Sequence, residues 1–326
     1  TMETVDCLQC GHRDHEPVVA ARDATTGVGR PFRVVHCVRC QLAFTNPRPT
    51  RESIGEFYPP DYEPHVEQTS DLRGSWRRRL EQAVLRYDFN YPPQPVGWGT
   101  AALAMLGRAT IRGKRQRAGW VPFRGRGRLL DFGCGSGRFM PRMRRLGWDV
   151  EGMDASAVVA RKVEQETGIR VHIGTLPHAD VSRSCFDAIT MWASLEHVHD
   201  PRAVLRAARE ALRPGGLLVV SVPNFKCWSF RMFGDAWFGL ELPRHLVHFT
   251  PHTLAAVVCG EGFRVLDIQQ IGRDGWIRRS ARRAVQSGFA GLWPRLCRWK
   301  PVSVAIARWT ERTGRADSIH LIAERE

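Results

Sequence analysis

The amino-acid sequence predicts an α/β protein: a mostly parallel sheet covered by helices, with a small cysteine-bound module ahead of it and helical insertions within it. Three observations carry this. From residue 128 onward, strand-like apolar runs alternate with helical stretches. The first of those runs, "RLLDF", leads into glycine at every second position, Gly133, Gly135 and Gly137. Two Cys-x-x-Cys pairs fall within the first 40 residues.

Taken in order, residues 1–48 hold Cys7, Cys10, Cys37 and Cys40 and little helical periodicity. Four thiolates offered as two knuckles suit zinc at tetrahedral geometry and leave no position open for catalysis, so this stretch reads as a structural zinc ribbon. Four free thiols are the alternative. Residues 49–125 read as a linker and basic amphipathic helices. The linker, "PTRESIGEFYPPDYEP" (49–64), is rich in proline and aromatics. Leu72, Trp76, Leu80, Val84 and Tyr87 then recur at helical spacing among arginines, and a second helix is expected over about 101–118. In residues 126–326, strands are expected at 128–132, 149–154, 170–174, 186–192, 215–223, 263–271 and 318–325. Helices are expected near 137–146, 156–167 and 201–212, with insertions at about 224–252 and 273–316.

The chain of 326 residues has ordinary apolar (43%) and charged (25%) content, enough for one large domain with an accessory module. Its first residues are polar, so no secretory signal is expected, and no run of about 18 apolar residues reads as a membrane span. Nine cysteines in such a chain favour metal ligation and free thiols, and a cytoplasmic setting. The net charge of +15 is unevenly placed. Leu72–Arg128 carries 13 basic against 2 acidic residues and Arg273–Arg312 carries 10 against 2, while the remainder holds 25 and 29. The same two segments contain seven of the eleven tryptophans. In the later one, Val285, Phe289, Leu292 and Leu296 recur at helical spacing, followed by Trp299, Val302, Ile306 and Trp309. Basic tryptophan-bearing helices suit peripheral contact with the inner membrane face. Packing on one another or on a second subunit is the alternative.

The glycines follow a strand that ends near an acid, Asp131, and permit positive φ and close backbone approach by a ligand. A dinucleotide fingerprint would put glycine at 138, where Arg138 stands, so a pyrophosphate is not the expected guest. Asp154 ends the second strand and can accept hydrogen bonds from ribose hydroxyls. Simple turn capping by Asp131 and Asp154 is the alternative.

"LLDFGCGSGRF", "VEGMDAS", "FDAITMWASLEHVHDP" and "ALRPGGLLVVSVPN" resemble, in order and interval, the motifs of class I S-adenosylmethionine-dependent methyltransferases over about residues 126–325. The resemblance implies a Rossmann-like sheet of seven strands, the last antiparallel. It implies S-adenosylmethionine as cofactor, with Asp131, Gly133, Gly135 and Gly137 around its methionine part and Asp154 with Ala155 at its ribose. Thr175 and Leu176 stand where many relatives carry an acid that meets the adenine amine, and Trp192 is the remaining cofactor position. His197 in "SLEHVHD", with Glu196, and His245 and His248 in "LPRHLVHFT" resemble positions at which sugar methyltransferases use histidine in catalysis. A helix cap or a carbonyl partner is the plainer role for each. Some relatives place Glu-x-x-Glu-His here for a divalent ion. Ala193 replaces the first glutamate, and the remaining Glu196 and His197 are too few for magnesium, so no catalytic metal is expected.

"VVHCVRCQLAFTNPRP" followed by "FYPPDY" resembles the zinc-ribbon start of bacterial methyltransferases found with polysaccharide and sugar-modification genes. It implies Phe57, Tyr58 and Tyr62 near the acceptor, or in plain packing. The expected function is methyl transfer to a hydroxyl of a sugar, glycolipid or other small molecule, with a histidine base. A nucleic-acid methyltransferase is a weaker rival, because "WASLEH" stands where base-amine enzymes carry Asn/Asp-Pro-Pro-Tyr. A non-catalytic adaptor that keeps the cofactor fold is the other rival. The sequence leaves the acceptor and the oligomeric state open.

Overall fold

Seven strands hydrogen-bond into one sheet in the computed structural model, which describes residues 1–27, 31–59, 75–92, 97–115, 119–289 and 291–326. Tyr62, Leu72 and the 116–118 end of the second expected helix lie outside the described residues. The strands are β1 (Arg128–Phe132), β2 (Asp149–Asp154), β3 (Val171–Ile173), β4 (Phe186–Trp192), β5 (Leu212–Pro223), β6 (Phe263–Ile271) and β7 (Ser318–Arg325). Their order is β6-β7-β5-β4-β1-β2-β3. β1 runs parallel to both β2 and β4, and β2 parallel to β3. β1 and β4 are buried along almost their whole length, as strands covered on both faces must be. The chain reverses its order of addition at β1, so the loop leaving β1 sits at the switch point where open sheets take their ligands.

The helices are α1 (Ser75–Phe89), α2 (Trp98–Arg115), α3 (Phe139–Arg145), α4 (Ala157–Thr167), α5 (Pro201–Ala211), α6 (Trp228–Phe233), α7 (Pro251–Gly260), α8 (Asp274–Gln286), α9 (Leu292–Cys297) and α10 (Lys300–Arg312). Ser156 caps α4, accepting from the Val159 amide at 3.3 Å, and Gly168 ends it with φ of 62°. The expected strand at 215–223 instead begins at Leu212. "LRPGG" reads as a turn, but Arg213 reaches Asp187 at 2.8 Å and ties this polar start to the foot of β4.

The chain forms two compact units. One comprises Pro64–Met191, Ala208–Val219 and Glu324–Glu326, with β1, β2, β3 and the glycine loop. The other comprises Thr1–Glu63, Trp192–Ala207 and Val220–Ala323. In this second unit, antiparallel strands His15–Ala21, Phe32–Cys37 and Ala43–Thr45 are joined by Val247–His248, which pairs with Ala43–Thr45. A two-residue strand has no periodicity to read, so the insertion looks loop-rich in sequence. Val34, Ala43, Trp237, Leu240, Ile277 and Cys297 share one apolar core, so the cysteine module and both insertions are packed together. The periodicity over 285–296 also breaks. Gly288, at φ of 85°, separates α8 from α9, so two helices replace the expected single one.

Candidate active site

Gly133, Gly135 and Gly137 all hold positive φ, at 70°, 50° and 68°, which other residues adopt only with strain. The Gly133 and Cys134 amides both donate to the Met153 carbonyl, at 2.8 and 3.0 Å, tying the loop to the end of β2. A Cβ on Gly137 would lie 2.4 Å from Val163 Cγ1, so this glycine also lets the loop lie against α4.

Two carboxylates flank this loop. Asp131 is buried and stands opposite Thr190 on β4, whose hydroxyl donates to it at 2.8 Å. Burial, with the charge of Asp154 adding to it, pushes the Asp131 carboxyl up to about 7 against the help of Thr190. Asp154 accepts from the Gly135 amide at 3.0 Å and the Ser156 amide at 2.9 Å. Burial still lifts its carboxyl above the ordinary range. A buried acid short of positive charge and a second acid within reach of hydroxyl donors fit the cationic amino group and the ribose of S-adenosylmethionine. Among the other expected cofactor residues, Ala155 is exposed beside Asp154, Leu176 is buried, and the Thr175 hydroxyl is buried with no hydrogen-bond partner among the described residues. Trp192, at the end of β4, stacks on His320 at 5.5 Å and 10°.

The histidines form a separate cluster. The His197 and His245 rings meet edge to face at 4.6 Å, and the His245 and His248 rings lie 6.4 Å apart. His197 Nδ1 lies 3.1 Å from the Arg244 carbonyl oxygen and 3.0 Å from the Tyr58 hydroxyl. A carbonyl only accepts, so Nδ1 carries the proton and Nε2 keeps its lone pair. By the same reasoning His245 Nδ1 donates to the Gly239 carbonyl at 3.0 Å and leaves the lone pair on its Nε2. His248 instead donates from Nε2 to the Thr45 hydroxyl, at 3.1 Å, while that hydroxyl donates to the His245 carbonyl at 2.7 Å. His248 is therefore spent on holding the module strand, and burial pushes its ring down to about 3. Burial, with His197 beside it, also holds His245 well below the usual imidazole range, so it stays neutral.

Glu196 is 1% exposed, and neither carboxylate oxygen meets a hydrogen-bond partner among the described residues. Burial, reinforced by Glu241, lifts its carboxyl to about 8. One ligand atom each from Glu196, His197 and His245 lie within 4.8 Å of one another. The expectation of no metal rested on two ligands from one stretch; the fold brings His245 to the same point as a third.

The cluster is fixed by an ion network the sequence did not suggest. Arg244 is fully buried and grips Asp23 with both terminal nitrogens, at 2.7 and 3.0 Å. It also donates to Thr25 Oγ1 at 2.7 Å and to the Phe57 carbonyl at 2.8 Å, with Glu241 at 3.4 Å. Burial pulls the Asp23 carboxyl up, but Arg244, Thr26 and the Thr25 amide outweigh it and hold it below its ordinary range. Asp23, Thr25, Phe57 and Tyr58 all come from the N-terminal 63 residues.

In the cysteine module, Cys7 Sγ lies 3.4 Å from Cys40 Sγ and Cys10 Sγ 3.6 Å from Cys37 Sγ, and all four lie within 4.8 Å of one another. Four sulfurs at 2.3 Å from a tetrahedral ion would be about 3.8 Å apart, so the spacing fits zinc. Each knuckle closes with a left-handed residue, Gly11 at φ of 68° and Gln41 at 63°, whose amides donate back to Cys7 and Cys37 carbonyls at 2.9 Å.

A mostly parallel sheet with this strand order, a positive-φ glycine loop after β1 and an acid ending β2 defines the class I methyltransferase fold. A methyltransferase-domain family model matches residues 106–268, half of the chain, and the chain belongs to that family. It is 40% identical over 131 residues to the ubiquinone biosynthesis O-methyltransferase of Cereibacter sphaeroides, a match covering 38% of this chain and 53% of that protein. It is 32% identical over 165 residues to the enzyme of the same name from Xanthomonas axonopodis pv. citri, covering 47% and 69%. The chain thus spans about half the length of the first of these relatives. A crystal structure of an S-adenosylmethionine-dependent methyltransferase from Mesorhizobium loti aligns over 65% of this chain and 96% of its own, at 20% identity and a TM-score of 0.45.

Proposed function

We propose that this chain transfers a methyl group from S-adenosylmethionine to a hydroxyl of a small-molecule acceptor, with His197 Nε2 as general base. The observation that carries the reading is the contact of His197 Nδ1 with the Arg244 carbonyl, which assigns the proton to Nδ1 and leaves a basic Nε2 in a cluster whose neighbouring imidazole stays neutral. The bound cofactor supplies an activated sulfonium methyl, so the protein's share is alignment and proton removal. Asp131 would hold the amino group, Asp154 the ribose hydroxyls, and the glycine loop would let its backbone lie close. His197 would take the acceptor proton, with Tyr58 and the Arg244 carbonyl fixing the ring. A base so placed contributes about 10²–10⁴-fold.

The acceptor class follows from two sources. The motif resemblance supports a sugar or glycolipid hydroxyl; the name of the relatives supports a hydroxyl-bearing precursor in ubiquinone biosynthesis. The test is transfer of labelled methyl from S-adenosylmethionine to a panel of both, followed across pH. Methylation of one class, with a rate that rises as His197 loses its proton and collapses in His197→Ala, is the expected result. Transfer to neither, or an unaffected His197→Ala rate, would refute the proposal.

A second reading has its own observation. The three convergent ligand atoms of Glu196, His197 and His245 would accept a divalent ion in place of the base role. Activity lost on chelation and restored by magnesium or manganese would select it. We also propose a structural zinc at Cys7, Cys10, Cys37 and Cys40, supported by sulfur spacing that a tetrahedral ion fits.

A further inference from the structure

The segment between β6 and β7 turns one face inward and leaves the other bare. Ile277 and Ala281 of α8, Cys297 of α9 and Ala307 of α10 join the apolar core. Around α9 the outward side is also apolar: Leu292 is 70% exposed, Trp299 64%, Trp293 57% and Phe289 54%, with Leu296 beside them. Four large residues more than half exposed within eleven positions exceed the scattered singles of an ordinary surface. Arg295, Arg298 and Lys300, all exposed, are interspersed with them. From Arg273 to Arg312 the two acids are engaged close to the fold. Asp274 pairs with Arg278 at 2.5 Å, and Glu311 accepts from the Gly272 amide at 3.0 Å. Among the described residues, Arg295, Arg298 and Lys300 pair with no acid.

We infer that Phe289 and residues 291–300 form a docking face for an anionic lipid bilayer. Tryptophan and leucine enter the boundary between headgroup and acyl chain, while arginine and lysine remain at the phosphate level. A second copy of the chain is a poorer occupant. A two-fold contact would bring Arg295, Arg298 and Lys300 against their own equivalents. No described helix is long and apolar enough to cross a membrane, so the contact is with the surface. This inference does not depend on the methyl-transfer reading.

The test is flotation of the full chain with vesicles of phosphatidylcholine alone and with about one third phosphatidylglycerol, at low and high salt. Each cation near an anionic surface contributes about fivefold, so three predict a preference for anionic vesicles of about a hundredfold. High salt weakens it. Trp293→Ser with Trp299→Ser, both at exposed positions, should lower binding at least tenfold, and Arg295→Glu with Arg298→Glu should abolish the anionic preference. Trp98→Ser, at a still more exposed tryptophan of α2 in the other basic segment, should change nothing. The inference is overturned if anionic vesicles do not bind the chain, or if they bind the double tryptophan variant equally well. It is also overturned if vesicle binding is absent and the tryptophans instead support self-association or capture of an acidic protein.

Discussion

The glycine loop and the histidine cluster are built by opposite means. The loop and its two acids lie within 24 consecutive residues, Asp131 to Asp154, and each requirement selects a residue type. Positive φ selects glycine at three places, and Asp154 answers the Gly135 and Ser156 amides from the strand end. The histidine cluster draws on residues 23–25, 45, 57–58, 196–197 and 239–248, all within the other compact unit. Its tautomers are set by the carbonyls of Arg244 and Gly239, atoms every residue possesses. Local chemistry leaves a signature in sequence; chemistry assembled from distant backbone atoms does not.

Perturbations of the cluster should differ in size according to what they remove. The largest effect expected is that of His197→Ala, which should lower kcat by about 10²–10⁴-fold while leaving S-adenosylmethionine affinity intact; calorimetry and turnover on the same preparation separate the two. Next comes Asp23→Asn, which removes the bidentate one of the two acids paired with the buried Arg244 and leaves only Glu241; it should destabilise the fold by about 3 kcal/mol, read from urea unfolding. A much smaller loss would mean that the Arg244 network does not bear on stability.

Glu196→Gln probes the lone carboxyl through pH. Its folded value of about 8 lies above the ordinary 4.5, so the stability tied to its protonation is present below pH 4.5 and lost as pH rises through 8. The variant should match the parent at pH 5 and exceed it by a few degrees in Tm at pH 9. A parent that instead melts above the variant at pH 9 would show that a bound cation stabilises the carboxylate, favouring the metal reading. The smallest effect is that of Tyr58→Phe, which removes one hydrogen bond at His197 Nδ1 and should cost about 1 kcal/mol, roughly fivefold in kcat, with the pH profile displaced.

Five of the seven sheet strands have the bounds expected from sequence, and four of these are bounded by charged or glycine positions. Gly137 was legible as part of the loop, but its contact with Val163 explains why glycine falls there and Arg138 follows. Tyr58 could be suspected from its aromatic neighbourhood. Asp23 and Arg244, 221 residues apart, could not be paired without coordinates. The same distance problem hid the third ligand atom: Glu196 and His197 adjoin, but His245 is 48 residues beyond His197 and meets them where the Leu246 amide donates to the Glu196 carbonyl at 2.8 Å. Tryptophan and charge counts singled out the 273–312 segment, and the fold shows which of its apolar residues face outward.

The central claim is that the loop between Asp131 and Asp154 binds S-adenosylmethionine. Calorimetric titration of the intact chain with the cofactor, repeated with Asp154→Ala, tests it most directly. One site per chain is expected in the intact protein, with most of the affinity lost in the variant. An intact chain that gives no heat of binding, or a variant that binds equally well, would contradict it.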